Sequence, residues 1–189
     1  MVINEKALLR AMKEAYKGWG YTVAVTEHDV WVIGCPHWIA KICDRDNVPN
    51  EVLSLIVLHM GYLPEPETAY RVYKSDTGPA IQEEIFGEAM ENMIDLEKKR
   101  HDPDTKKVQI RKTKLHFGHR QVWQRPEDLE IFLVDPRYES IIEKKNDVRT
   151  VGTVLCSVGE TSTIYVYRES DTGYEAQIEH LAQMQWVTR

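Results

Sequence analysis

Val72-Tyr73-Lys74-Ser75-Asp76-Thr77-Gly78 returns as Val166-Tyr167-Arg168-Glu169-Ser170-Asp171-Thr172-Gly173, and the two Ser-Asp-Thr-Gly turns lie 95 residues apart in a chain of 189. A spacing of half the chain points to a duplicated unit. A second correspondence supports it: Val32-Ile33-Gly34-Cys35-Pro36-His37-Trp38-Ile39-Ala40-Lys41-Ile42 aligns without gaps to Phe132-Leu133-Val134-Asp135-Pro136-Arg137-Tyr138-Glu139-Ser140-Ile141-Ile142. In both, apolar strand residues run into a proline that is expected to open a helix, where its missing N–H costs nothing.

Working outward, Asn4 caps an amphipathic helix with Ala7, Leu8, Ala11 and Met12 on one stripe and Gly18 as its stop. Tyr21–Thr26 and Val30–Ile33 read as a hairpin turning at Glu27-His28-Asp29. A helix from Pro36 is expected to bury Ile39, Ile42 and Cys43, and a second runs from Pro49 to Met60 with Gly61 past its end. Thr68 to Lys74 is a strand, and the stripe Ile81, Ile85, Phe86, Ala89, Met90, Met93, Ile94 predicts a helix after Pro79. Lys98 to Lys107, with Asp102-Pro103-Asp104 at its centre, is the linker. It divides a helix-rich half, 1–100, from a strand-rich half, 101–189, the two forming one compact unit.

In the second half, Val108–Phe117, Gln121–Gln124 and Leu129–Val134 are expected strands, and Pro136 opens a helix burying Tyr138, Ile141 and Ile142. Val151–Val158 and Thr163–Arg168 form a hairpin. The closing run Tyr174, Ala176, Ile178, His180, Ala182, Met184, Trp186 alternates at a period of two and reads as a strand. The fold class is therefore α+β, a possible internal duplication of a mixed strand and helix unit with largely antiparallel sheets and packed helices. From Leu129 onward the order strand, helix, three strands resembles the half-domain of the DNA sliding clamps. That resemblance is topological and implies an alternative fold, without any motif.

The start lacks the basic and apolar regions of a signal peptide, and no apolar run is long enough to span a bilayer. The expected protein is soluble and cytoplasmic, with no membrane partner. Three cysteines in such a chain point to reduced thiols.

The paired Asp-Thr-Gly turns resemble the aspartic proteases, which use that tripeptide once per lobe. Here Lys74-Ser75 and Glu169-Ser170 precede the tripeptides where that family has apolar residues, and only sixteen residues follow Gly173. Ordinary tight turns account for both.

Cys35, His37, Cys43 and His59 supply metal-ligand types, and Cys35 beside His37 suggests a thiol nucleophile with a base. Neither has the tight ligand pairs of a zinc site or an orienting third group. A small thiol- or metal-dependent enzyme centred on Cys35 and His37 is the alternative reading. An oligomeric scaffold joined through sheet edges is another. No cofactor signature is present.

The strongest feature is charge. Between Lys98 and Arg125 stand ten Lys or Arg against Asp102 and Asp104, a local balance of +8 in a chain of net charge −6. Basic side chains along a strand neutralise phosphates, and Phe117 and Trp123 offer flat faces for stacking bases. The preferred expectation is a non-catalytic binding protein taking nucleic acid or an acidic protein. Its surface would comprise Arg111, Lys112, Lys114, His116, Arg120 and Trp123. A lysine-protected sheet edge would produce the same charge run.

Overall fold

A computed structural model describes residues 1–102 and 105–184. Asn4 accepts the N–H of Ala7 at 3.0 Å and starts α1 (Glu5–Lys17), whose Ala7, Leu8, Ala11 and Met12 are buried. Three strands follow, β1 (Tyr21–Val25), β2 (Val30–Gly34) and β3 (Trp38–Ile42). Then come α2 (Asn50–Met60), closed by Gly61 in the left-handed conformation, and the hairpin β4 (Thr68–Ser75) and β5 (Gly78–Glu84). α3 (Phe86–Lys99) ends the first half.

The second half holds β6 (Lys106–Ile110), β7 (Gln121–Gln124), β8 (Ile131–Val134) and the single-turn α4 (Pro136–Glu139). β9 (Val148–Val151), β10 (Val154–Val158) and β11 (Ser162–Tyr167) follow, then α5 (Glu175–Gln183). All eleven strands join one antiparallel sheet in the order β5-β4-β1-β2-β3-β11-β10-β9-β6-β7-β8. The α+β class expected from sequence is therefore observed. Among the described residues no helix is long and apolar enough to cross a membrane.

Strand alternation divides the side chains between two faces. One face carries Val23, Val32, Ala40, Ile164, Leu155, Val108, Trp123 and Phe132 in the main core, where α1 and α2 pack. The other face is covered in two places. α3 places Met90, Met93 and Leu96 on Ile33, Ile39, Tyr165 and Cys156. α5 places Leu181 on Val122, Ile131 and Leu133.

Duplication is not shown, because the matched segments fold differently. Asp135 has a carboxylate that accepts the Arg137 N–H at 2.8 Å, so the chain after it turns into α4. Cys35 offers no such cap. There the His37 N–H bonds back to Gly34 O at 2.8 Å and the chain returns as β3, not as the expected helix. β3 lies between β2 and β11 and buries four of its five residues, so its apolar run has no strand-like alternation to read. The first Ser-Asp-Thr-Gly closes the β4–β5 hairpin, whereas the second leads into α5.

Three further expectations change. Ile81 belongs to β5, and the helix begins only at Phe86. The strand expected over Val108–Phe117 ends at Ile110, with a loop from 111 to 120. The closing run is α5, since Tyr174, Ile178, Leu181 and Ala182 also recur at helical spacing and all pack on one cluster. Pro103, Asp104 and Trp186 lie outside the described residues. From Leu129 the order is still strand, helix, three strands, but the three are β9, β10 and β11, and a helix closes the chain.

Candidate anion-binding valley

The register between β6 and its neighbours locates the basic segment. Lys107 stands opposite Arg149 on β9, Arg149 opposite Cys156 on β10, and Cys156 opposite Tyr165 on β11. Directly opposed residues share a face, so Lys107 and Arg149 lie on the side that α3 covers further along the row. Gln109, two residues on, shares that face and opposes Gln124, two residues beyond Val122 beneath α5. β6 and β9 thus form the floor between the two helices. Lys107, Gln109 and Arg149 are all exposed there, while Val108 points the opposite way and is fully buried.

A concavity adjoins each end of this floor. At the α3 end, Arg100, His101 and Arg149 line a cavity of about 220 Å³. Past the other end of β6, Arg111, Lys112, His116 and Arg120 line a shallow depression of about 290 Å³. From Thr105 to Arg111 the strand covers roughly 20 Å at about 3.3 Å per residue. The result is a polar valley with cationic groups at both ends and in the middle.

The structure thus brings together four of the six residues singled out from sequence. Lys114 is exposed on the same loop but does not line the depression. Trp123 corrects the sequence reading outright. It is fully buried among the core residues of the opposite face, so it has no surface on which a base can stack, and Phe117 is buried beneath α5. The cause is register: Trp123 opposes Phe132 and Ile110 on the face where the main core sits.

Much of the apparent +8 is neutralised. Lys99 pairs with Asp95, Arg100 with Glu97, Lys106 with Glu127, Arg120 with Glu169, and Arg125 with Asp128 and Glu130. Arg120 also lies over the Tyr174 ring, which fixes it at the loop's base. Lys107 and Arg149 form no ion pair among the described residues and face each other across the sheet, an arrangement of like charges that destabilises by itself. Of these, Arg149 was missed from sequence. It lies outside the basic segment, and only the long-range pairing of β9 with β6 brings it there.

Of the residues of the thiol or metal reading, Cys35 and His37 line one cavity of about 250 Å³ beside Arg137 and Tyr138, and His59 lies apart from it. His59 is held in the α1–α2 contact, stacked on Tyr16 at 3.7 Å and bonded to the Tyr21 hydroxyl at 2.9 Å. His37 stacks on Tyr138 at 4.7 Å, and burial holds its pKa below the ordinary value. The Cys35 thiol is pushed up by burial, against the influence of Arg71, which disfavours the reactive thiolate.

The three-ligand grouping among the described residues lies elsewhere, at His119, Asp135 and Glu169. Arg137 binds both Asp135 oxygens, at 3.1 and 2.6 Å, and Arg120 Nε is 2.7 Å from Glu169. Two guanidiniums already balance the two carboxylates, so a dication would have to displace them.

Compared with known proteins, the chain matches no protein family, no curated protein and no solved structure. The likeness of residues 129 onward to a sliding-clamp half-domain finds no counterpart there.

Proposed function

We propose that this is a non-catalytic binding protein whose valley between α3 and α5 takes an extended, anionic stretch of polypeptide. The observation that carries the reading is the exposed row of Lys107, Gln109 and Arg149 on the one part of this face left open between two helices. A segment of about six residues in extended form spans the ~20 Å floor. Its carboxylates would meet Arg149 toward the α3 end, Lys107 in the middle, and Lys112 and His116 at the loop. Gln109 adds an uncharged donor and acceptor between them.

An acidic polypeptide suits the site better than single-stranded nucleic acid. Sequence-tolerant binding of single strands draws on aromatic platforms, and both candidate rings, Phe117 and Trp123, are buried. Outside residues 98–125 the chain is strongly acidic, which repels a long polyphosphate passing beyond the valley.

The test is fluorescence titration of a labelled twelve-residue glutamate peptide, with a twelve-nucleotide oligothymidylate as comparator, at low and moderate salt. Peptide binding that weakens with salt is expected, together with a loss of at least about tenfold in Lys107→Glu/Arg149→Glu, since each exposed charge contributes up to ~1 kcal/mol and reversal counts twice. Tighter oligonucleotide binding would change the partner class. No binding of either at low salt, or binding unmoved by the charge reversal, would refute the assignment.

A further inference from the structure

The two ends of the valley are built differently. The loop end is a shallow depression whose cations include exposed Lys112 and His116. The α3 end is a cavity in which one cation is held in place from behind. Arg100 follows the last turn of α3, and its Nη2 lies 3.2 Å from a Glu97 oxygen. Glu97 is itself fixed by Lys41 Nζ at 3.0 Å and by the hydroxyl of fully buried Tyr165. The Arg100 guanidinium is thereby drawn toward Glu97, which lowers the cost of immobilising it on binding.

Two observations bear on the ligand. The Arg100 side chain lines the cavity and keeps 18% of its accessible surface, so that its guanidinium end, not its enclosed Nε, is the part a ligand can reach. Arg149 lines the same cavity, with Lys107 directly across the strand pair. The lining also includes Cys156, whose thiol burial pushes up to about 12, so that it contributes no negative charge. Among the described residues that line the cavity, Asp147 is the acidic one, and it is exposed.

A compact group with several acceptor oxygens and more than one negative charge fits two guanidiniums better than a carboxylate does. We infer that this cavity is a phosphoryl-binding subsite, in which Arg100 and Arg149 donate to the oxygens of a phosphorylated side chain on the partner that occupies the valley. The inference rests on the proposed function and adds the chemistry of one position. The occupied end lies beside Thr105, so the phosphorylated residue sits at one terminus of the bound stretch, with carboxylates following along β6.

The experiment compares a twelve-residue acidic peptide carrying one phosphoserine near its end with the same peptide carrying serine. Inorganic phosphate is added as a competitor in a third arm. The phosphopeptide is expected to bind at least about tenfold more tightly, as charge-assisted guanidinium contacts allow. Millimolar phosphate should erase that advantage without displacing the serine peptide. Arg149→Lys and Arg149→Ala should each bring the ratio close to one with an unchanged circular dichroism spectrum, since Arg149 is exposed. If both peptides bind wild type equally, the subsite is refuted while the valley stands. If neither binds, both are refuted.

Discussion

Replacing Glu97 by alanine removes the acceptor on which three donors of the α3 face converge. Glu97 receives Lys41 at 3.0 Å, Arg100 at 3.2 Å and the Tyr165 hydroxyl. Truncating one partner of a fully buried ion pair costs about 3–5 kcal/mol. Here the Glu97 side chain keeps 20% of its exposure, and Asp29, at 3.1 Å, still holds Lys41. The discounted loss is therefore about 2–3 kcal/mol, including the orphaned Tyr165 hydroxyl. For a chain of this size that is a Tm lowered by about 5–10 °C.

Differential scanning calorimetry of wild type, Glu97→Ala and Glu97→Gln measures it, with glutamine falling between the other two because it can still accept from Tyr165. The same pair has a pH signature. Burial alone would depress the Lys41 pKa, but the hydrogen bonds and charges of Glu97 and Asp29 outweigh it and raise the net value. A raised folded-state pKa gives stability that is complete below the ordinary lysine value and lost as pH rises through the folded one. Wild type should therefore lose more Tm than Glu97→Ala above about pH 10.5. A cost below about 1 kcal/mol, or parallel alkaline profiles, would refute the view that Glu97 anchors α3.

Two other substitutions separate the structural account from the sequence reading. Trp123→Ala should cost about 3–5 kcal/mol in urea denaturation, as expected for a large core side chain, and a folded variant of unchanged stability would contradict the burial of Trp123. Asp135 is held below the usual carboxylate range by Arg137 even though burial opposes it, so its contribution is present at neutral pH and is lost as pH falls below about 4. Asp135→Asn should lower Tm at pH 7 and flatten the acid limb of the stability curve, and an equally steep acid limb would count against the pairing.

Local signals carried much of the fold. Asn4, Gly61 and the Glu27-His28-Asp29 turn each mark a boundary through chemistry confined to a few residues, and the elements they bound are where the sequence places them. β3 was misread because a central strand buried on both faces has no alternation, and because the resemblance of Cys35-Pro36 to Asp135-Pro136 hides the one difference that matters, a capping carboxylate. α5 was misread because the same apolar residues satisfy periods of two and of 3.6, and only packing against Val122 and Leu133 decides.

For the candidate site, the net charge of the 98–125 segment was visible, but which charges reach solvent was not. Lys106 and Lys107 are neighbours in sequence, yet one pairs with Glu127 and the other faces the open floor. Arg149 could not be linked to Lys107 without the strand order.

The most direct measurement is a backbone amide NMR titration of the protein with the twelve-residue glutamate peptide. The account predicts that shifts concentrate on Lys107, Gln109 and Arg149 and on the loop around Lys112 and His116, with the exposed Val57 and Leu58 of α2 unmoved. Shifts confined to the α1 and α2 face, or none at saturating peptide, would contradict it.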